Sequence, residues 1–326
     1  MVWALKTPLF CERPILRRAR KGCPIGIDMG DNSLKLAQLE VAQGRITLVA
    51  ADFAHRPEEV EAGSAAWQRW AMETIRRLTA DGEYRGKEVV AALPASEISI
   101  EHIRLPNVDW DSTGGADAET ISEIKQRLPF NCDNMIIRTI PAEQDNVVVI
   151  ATRRQIIDRH LAIYEKAGLQ VKSIAIWPAA LANAYAGFFG RRESDTESVV
   201  MLICMEATGT NVVICRHKNL LFVRSVAIGT NQLGTEEVMT RLALELTACR
   251  QHFGTMHKGC EIDRLIFLLG SSESREICLA IAKQLQMPAQ IGDCLAAVKI
   301  PNISTVGIDR RQSQTNWSVA FGLSLS

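Results

Sequence analysis

The sequence predicts an α/β fold of two lobes, with one β-β-β-α-β module present twice and a small α/β subdomain inserted in the first lobe. The length of 326 residues is sufficient for two domains that each bury a core. Three short apolar runs within residues 24–53 recur as three runs within residues 198–229, about 176 positions later. Such an internal repeat indicates two similar lobes that face each other across a cleft.

The first module begins with three predicted strands, "PIGIDMG", "SLKLAQLEV" and "RITLVAADF". Because the turn residues Gly30, Asp31 and Asn32 separate the first two strands, we expect an antiparallel meander. Apolar residues at helical spacing predict a helix over residues 65–79, and the run at residues 88–94 is typical of a buried strand.

Residues 97–175 are predicted to form the inserted subdomain, which has its own order of strands and helices. Its strands are expected within residues 97–106, 134–142, 146–152 and 171–177, and its helices within residues 117–130 and 153–168. The acidic, glycine-containing stretch 109–117 between the first strand and the first helix is expected to be a mobile loop.

The second lobe is predicted to follow a helix at residues 178–189 and the polar linker "GRRESDTES". After its three strands, we expect helices within residues 231–253 and 274–285, a strand at residues 264–270 and a terminal helix around residues 316–325. These elements assign residues 1–23 to a basic tail, residues 24–96, 176–196 and 314–326 to the first lobe, and residues 197–313 to the second.

The charge balance argues against a nucleic-acid partner, because basic and acidic residues both number 37. The basic tail is interpreted as solvated rather than bound to anionic lipid or a partner. No apolar run approaches the roughly 20 residues that span a membrane, and no secretory signal is evident, so we expect a cytosolic protein. The nine cysteines lie mostly in apolar runs, which indicates buried thiols without disulfides.

The stretch "GIDMGDNSLKLAQLE", residues 26–40, has the composition of a phosphate-binding turn. A turn without bulky side chains presents backbone N–H groups to phosphate oxygens, and Ser33 adds a hydroxyl donor. Asp28 is a candidate to hold Mg²⁺ through water, because hard cations prefer oxygen ligands, and Lys35 is a candidate to neutralise phosphate charge. The alternative from these residues alone is a simple two-strand turn at Gly30 with a solvated Lys35.

Six stretches distributed along the chain carry a family resemblance. They are "GIDMGDNSLKLAQLE", "ISEIKQRLPFNCDNMIIRTI", "ATRRQIIDRHLAIYEKAGLQVKSI", "PAALANAY", "VAIGTNQL" and "NWSVAFGLSLS". Together with the repeated module, they resemble the PilM family of type IV pilus assembly proteins, in the FtsA-like branch of the actin-like ATPase superfamily. The resemblance implies a duplicated actin-like (ribonuclease H-like) fold with an FtsA-like inserted subdomain, from about residue 24 to the C-terminus.

The resemblance also implies a site for ATP with Mg²⁺ in the cleft between the lobes. It assigns Asp28 to the metal and no residue to catalysis. The implied nucleotide contacts come from both turns, a helix and a late glycine turn, and are Gly30, Asp31, Asn32, Ser33, Lys35, Thr208, Gly209, Thr210, Glu245, Gly270, Ser271 and Ser272.

Three departures from the family pattern predict that ATP binding is weak or lost and that significant turnover is absent. In the second turn, Cys204 stands where the family has aspartate and Glu206 where it has glycine, so a carboxylate would repel phosphate. The adenosine motif reads "LLGSSES", with serines in place of glycines. The family's ribose clamp keeps Glu245, but Ala248 replaces its basic partner.

A competing metal site is suggested by Cys249, His252, His257 and Cys260, because four N and S ligands within a dozen residues can form a tetrahedral zinc site. The first two residues fall on the predicted helix over residues 231–253, and the other two fall in the loop that follows. Since a loop needs more separation to fold back on a helix, a buried Cys249 and solvated histidines are favoured, with zinc as the alternative.

The resemblance implies a cytoplasmic assembly scaffold at the inner face of the inner membrane. Its implied partner is the N-terminal peptide of a PilN-like bitopic membrane protein, bound in a groove between the first lobe and the insert, where an exposed strand could accept an extended chain. A contact with the pilus motor ATPase and self-association both stay open. The alternatives are a nucleotide-free scaffold like the cytoplasmic domain of a type II secretion GspL-type protein, and an actin-superfamily phosphotransferase, which the loss of aspartate at Cys204 disfavours.

Overall fold

The first lobe opens with the predicted meander. The computed structural model describes residues 22–30, 32–106, 108, 110, 117–268, 275–300 and 316–326, so the predicted basic tail lies almost entirely outside the described residues. The first elements are β1 (Ile25–Met29), β2 (Ser33–Ala42), β3 (Arg45–His55), α1 (Ala65–Asp81) and β4 (Glu88–Leu93). Strand β1 is buried throughout, because it pairs antiparallel with β2 on one side and parallel with β4 on the other.

The insert contains β5 (Ser99–Arg104), α2 (Ala118–Arg127), β6 (Met135–Pro141) and β7 (Asn146–Arg153). The three strands form an antiparallel sheet in the order β5-β7-β6. Ile124 of α2 packs on one face of this sheet against Val147 and Val149. Most of the stretch 109–117, the expected mobile loop, lies outside the described residues.

The next helix and strand, α3 (Arg154–Lys166) and β8 (Gln170–Ile176), are not part of the insert's sheet, contrary to the expectation from sequence. Strand β8 pairs parallel with β4 and completes a five-stranded sheet in the order β3-β2-β1-β4-β8, and α3 packs on α1. An apolar run predicts a strand but not the sheet it joins. Here the insert and α3 supply the crossover that parallel pairing requires.

The rest of the chain builds the second lobe and returns to the first. Its elements are α4 (Trp177–Phe188), α5 (Glu193–Glu197), β9 (Val199–Met205), β10 (Thr210–Arg216), β11 (Asn219–Val226), α6 (Glu236–Met256), β12 (Arg264–Leu268), α7 (Arg275–Leu285), β13 (Ala289–Gly292), α8 (Cys294–Ala297) and α9 (Ser318–Ser324). The sheet order is β11-β10-β9-β12-β13. Helix α5 lies within the stretch expected to be a linker, and β13 and α8 are short elements that the sequence did not predict.

The strand registers confirm the internal repeat. Asp28 of β1 pairs with Lys35 of β2 and with Ala92 of β4. Adding 176 to these three numbers gives Cys204, Asn211 and Leu268, and Cys204 indeed pairs with Asn211 of β10 and with Leu268 of β12. The central strands of the two lobes therefore pair in the same register at an offset of 176 positions.

Helix α4 forms the core between the two sheets. It is apolar on all sides, and its buried residues pack against Val90 and Ala92 of the first sheet and Val200 and Leu202 of the second. The terminal helix α9 is also buried and contacts α4, β1 and β2, so the end of the chain belongs to the first lobe. None of the helices among the described residues has the length and apolar character to cross a membrane.

Candidate functional site

The two repeated turns meet across the cleft through three charged side chains. The Lys35 ammonium donates to the Asp28 carboxylate of the neighbouring strand, with Nζ 3.0 Å from Oδ2. The same Nζ lies 3.8 Å from Oε2 of Glu206, in the turn between β9 and β10 of the other lobe. We call Asp28, Lys35 and Glu206 the interlobe ion relay.

Lys35 is the centre of this relay and is almost fully buried, with 4% of its side chain exposed, against 12% for Asp28 and 35% for Glu206. Burial by itself would lower the pKa of the ammonium. The attraction of Asp28, and next of Glu206, outweighs this effect, so the pKa of Lys35 is raised above its ordinary value. Lys35 therefore stays charged, and its burial contradicts the alternative of a solvated lysine at a simple turn.

The second turn is held by its own hydrogen bonds. The Glu206 N–H donates to the Gly209 carbonyl at 2.8 Å, and the Thr210 hydroxyl donates to the Ile228 carbonyl at 2.7 Å. Thr210 is fully buried, and its hydroxyl proton is used in the bond to Ile228. It is therefore not available to phosphate, although the family resemblance implied such a contact. Gly229 packs so closely on this turn that a Cβ there would overlap the Ala207 carbonyl.

Cys204 occupies the position that repeats Asp28. Its thiol donates towards Glu206 Oε1 at 3.5 Å, and the Asn316 amide donates to its sulfur at 3.2 Å. Burial, followed by the nearby Glu206, raises the pKa of this thiol well above the usual range. A neutral thiol cannot replace a metal-organising carboxylate, so position 204 itself supplies no ligand for a hard cation.

The cleft residues fit a magnesium triphosphate only in part. Asp28 and Lys35, the candidate groups for metal and phosphate, are bonded to each other, and Glu206 brings a second carboxylate. At the first turn, the Gly30 N–H donates to the Ser33 carbonyl rather than facing outward for a ligand. A bound triphosphate would have to compete with Glu206 for Lys35, and the two anions would repel each other.

The adenosine-contacting positions are described only at the helix. Glu245 of α6 forms an ion pair of 3.1 Å with Arg224 of β11, so a basic partner reaches it from a strand rather than from position 248. Gly270, Ser271 and Ser272 lie outside the described residues, as does Asp31 of the first turn. Asn32 and Ser33 stand at the first turn, beside Gly30.

The four residues of the suggested zinc site make separate contacts, and no metal-binding group of three or more His, Cys, Asp or Glu residues occurs within the part of the chain that is described. Cys249 is buried in the core of the second lobe, where burial raises its pKa to about 11. His257 stacks on Phe253 and faces the Leu221 carbonyl. Cys260 lies 3.6 Å from the Arg216 guanidinium, and His252 packs on the ring of Phe222.

A groove of about 320 Å³ opens where the insert meets the second lobe. Strands β5 and β11 border it, and each is the edge strand of its own sheet. Ala95 and Ile98, in the connection from the first lobe to the insert, line the same groove. Its remaining lining residues are Ile100, Glu101, His102, Phe222, Val223, Arg224, Ser225 and His252.

His102 connects the two edge strands across this groove. Its Nε2 accepts the Val223 N–H at 3.1 Å, and its ring stacks on Phe222 with the centroids 4.6 Å apart. Burial lowers the pKa of His102 to about 4, with a further contribution from His252 and then His257. The imidazole is therefore neutral at physiological pH, as an acceptor at Nε2 must be.

Sequence reasoning missed Arg224, His102 and Asn316 as residues of the cleft and groove. Asn211 was missed as well, although it had a signal in the sequence, because it stands 176 positions after Lys35 and shows that the lysine is not repeated. The other three residues act on partners in distant segments, which no local pattern reveals.

Comparison with known proteins agrees with this architecture. The family model described as type IV pilus assembly protein PilM matches residues 26–250. A solved structure titled PilM-PilN type IV pilus biogenesis complex has a TM-score of 0.73 at 18% identity, over 93% of this chain and 97% of that one. At this identity, the structural likeness shows a shared fold.

Two further solved structures match this chain at lower similarity. The ethanolamine utilization protein EutJ from Carboxydothermus hydrogenoformans has a TM-score of 0.50 at 11% identity, over 96% of this chain and 91% of that one. The cytoplasmic domain of EpsL, an inner membrane component of the type II secretion system of Vibrio cholerae, has a TM-score of 0.47 at 12% identity, over 75% of this chain and 81% of that one.

Proposed function

Since the chain belongs to the PilM family of type IV pilus assembly proteins and has the actin-like fold, we propose that it is an assembly scaffold that binds the N-terminal peptide of a PilN-like inner membrane protein. The observation that carries this proposal is the groove bordered by two edge strands, β5 and β11. On this proposal, the protein reaches the inner face of the membrane through its partner.

The groove has the chemistry that an extended peptide needs. Edge strands carry backbone groups that their own sheets do not use, and these can pair with an added strand. The Val223 N–H lies outside the β-ladder and donates to the His102 side chain, so a peptide that pairs with it would displace this bond. Ile98, Ile100 and Phe222 offer apolar contacts for alternate side chains of the peptide.

Replacing Ile100 by serine is expected to weaken peptide binding at least tenfold, because the variant removes an apolar wall of the groove. The measurement is fluorescence anisotropy with a labelled synthetic peptide that carries the cytoplasmic N-terminal sequence of the PilN-type protein of the same organism. Leu279→Ser is the matched control, since Leu279 is 60% exposed on α7 and does not line the groove. Equal affinities for both variants would place the peptide elsewhere, and circular dichroism of each variant verifies that it is folded.

The same fold family supports ATP with Mg²⁺ as the ligand of the interlobe cleft, and we propose that binding here is weak and without significant turnover. The interlobe ion relay supports this proposal. The positive charge of Lys35 is already balanced by Asp28 of the first lobe and Glu206 of the second before any ligand binds. Bound nucleotide would then stabilise the closed lobes by mass action rather than drive a reaction.

Glu206→Gln is expected to tighten the binding of magnesium ATP about tenfold, or about 1.4 kcal/mol, because it removes one anion from the phosphate region and leaves Lys35 with a single partner. Isothermal titration calorimetry measures the change, with the exposed Glu83→Gln as control. Unchanged affinity in Glu206→Gln would mean that Glu206 does not oppose the nucleotide.

The nucleotide-free scaffold of the GspL type remains the second candidate, favoured by the same ion relay. The calorimetric experiment distinguishes the two candidates. A nucleotide-free scaffold binds no ATP at millimolar concentration, either as the wild-type protein or as Glu206→Gln. A phosphotransferase finds less support, because Cys204 places a buried neutral thiol at the position that repeats Asp28.

A further inference from the structure

A second concave site lies between the end of α4 and the edge of the second sheet, and its lining residues differ from those of the groove and of the ion relay. It has a volume of about 490 Å³ and is lined by Phe188, Phe189, Arg191, Arg192, Asp195, Arg264 and Gln290. Three guanidinium groups and one carboxylate leave this arginine pocket with a net charge of about +2. This volume lies within the range of small-molecule sites, roughly 300–1,000 Å³.

Asp195 fixes the position of the Arg264 side chain but balances only one of the three arginine charges of the pocket. It is buried, and one of its oxygens accepts from Arg264 Nη2 at 2.7 Å while the other accepts the Arg192 backbone N–H at 3.0 Å. Tyr185 accepts from the same Arg264 nitrogen at 3.3 Å. Both Asp195 oxygens are therefore occupied, and the direction of the Arg264 guanidinium is fixed.

Arg264 retains donor capacity after these contacts. Its Nε–H is buried and has no hydrogen-bond partner among the described residues. A buried donor without a partner is costly, which indicates that the hydrogen bonds of this guanidinium are incomplete. Since 26% of the Arg264 side chain is exposed, the guanidinium can still donate to a ligand oxygen in the pocket.

Arg191 and Arg192 supply the remaining charge. Both side chains are exposed and line the pocket. Guanidinium groups that line one pocket repel each other unless an anion lies between them, and their fork geometry matches phosphate oxygens. Phe188 and Phe189 add an apolar wall that inorganic phosphate would leave unused.

We propose that the arginine pocket binds a phosphate monoester with an organic body. A monoester carries a charge of about −2 at neutral pH, which matches the net charge of the pocket. Its organic part packs on the two phenylalanines, and its phosphate faces the arginines. The same chemistry is present in soluble phosphate esters and in the headgroup of phosphatidic acid.

The test compares the double variant Arg191→Gln/Arg192→Gln with a matched control, Arg153→Gln/Arg154→Gln, which changes another adjacent pair of exposed arginines outside the pocket. Calorimetry with glycerol 3-phosphate and with AMP probes soluble esters. Flotation with phosphatidylcholine vesicles, with and without phosphatidic acid, probes the lipid source. For the probe that the wild-type protein binds most tightly, we expect at least tenfold weaker binding in Arg191→Gln/Arg192→Gln and unchanged binding in Arg153→Gln/Arg154→Gln.

The proposal is overturned if neither the esters nor the phosphatidic acid vesicles bind the wild-type protein, or if both double variants lose binding equally. Glu206→Gln separates this pocket from the interlobe cleft, because binding of AMP in the cleft responds to Glu206 and binding in the arginine pocket does not. The result is therefore independent of whether the groove accepts a PilN-like peptide.

Discussion

Lys35→Met is expected to lower the free energy of unfolding by about 3 kcal/mol, since it leaves the largely buried Asp28 without its cation. Removing one partner of a buried ion pair typically costs about 3–5 kcal/mol. We expect the lower end of that range, because a third of the Glu206 side chain is exposed and water screens its charge. Urea denaturation followed by circular dichroism measures the change.

The exposed Lys283→Met is the control for Lys35→Met, and it should change the stability by less than about 0.5 kcal/mol. The triple variant Lys35→Met/Asp28→Asn/Glu206→Gln tests the electrostatic origin of the effect, because it also removes the two carboxylate charges that face Lys35. It should recover part of the lost stability. If Lys35→Met matches the wild-type protein, the interlobe ion relay does not stabilise the closed cleft.

Gly322→Ala is expected to destabilise the protein by about 3 kcal/mol or more, because α9 and α4 are in backbone contact at this point. A Cβ on Gly322 would overlap the Ala180 carbonyl oxygen, and neither is a flexible side-chain end that could move aside. The two helices would have to separate, and α9 is the element that anchors the end of the chain to the first lobe. Thermal and urea denaturation both report this loss.

Gly254→Ala is the matched control for Gly322→Ala. Gly254 lies in α6, is exposed, and has open space where a Cβ would stand. Alanine is the better helix former, so this variant should gain about 0.5–1 kcal/mol. A similar small gain in Gly322→Ala would contradict the close approach of α9 and α4.

The repeated module could be predicted from the sequence because its pattern is local. Alternating and continuous apolar runs report which residues are buried on a strand, and the offset of 176 positions holds in the registers of β1, β2 and β4 against β9, β10 and β12. The exchange of aspartate for Cys204 and of glycine for Glu206 was also visible, since both follow from the repeat. The sheet that β8 joins was not predictable, because apolar strands of the insert and of the lobe look alike in sequence.

The two-lobed α/β architecture could be predicted from the sequence, as could the placement of the charged residues Asp28, Lys35 and Glu206 at the two turns. Only the packed structure shows that these charges pair across the cleft, that the Thr210 hydroxyl is bound to Ile228, and that Arg264 lies with Arg191 and Arg192 in one pocket. The difference is one of range. Periodicity reflects the burial of each residue on its own element, whereas ion pairing and desolvation depend on which distant segments the packed core brings together.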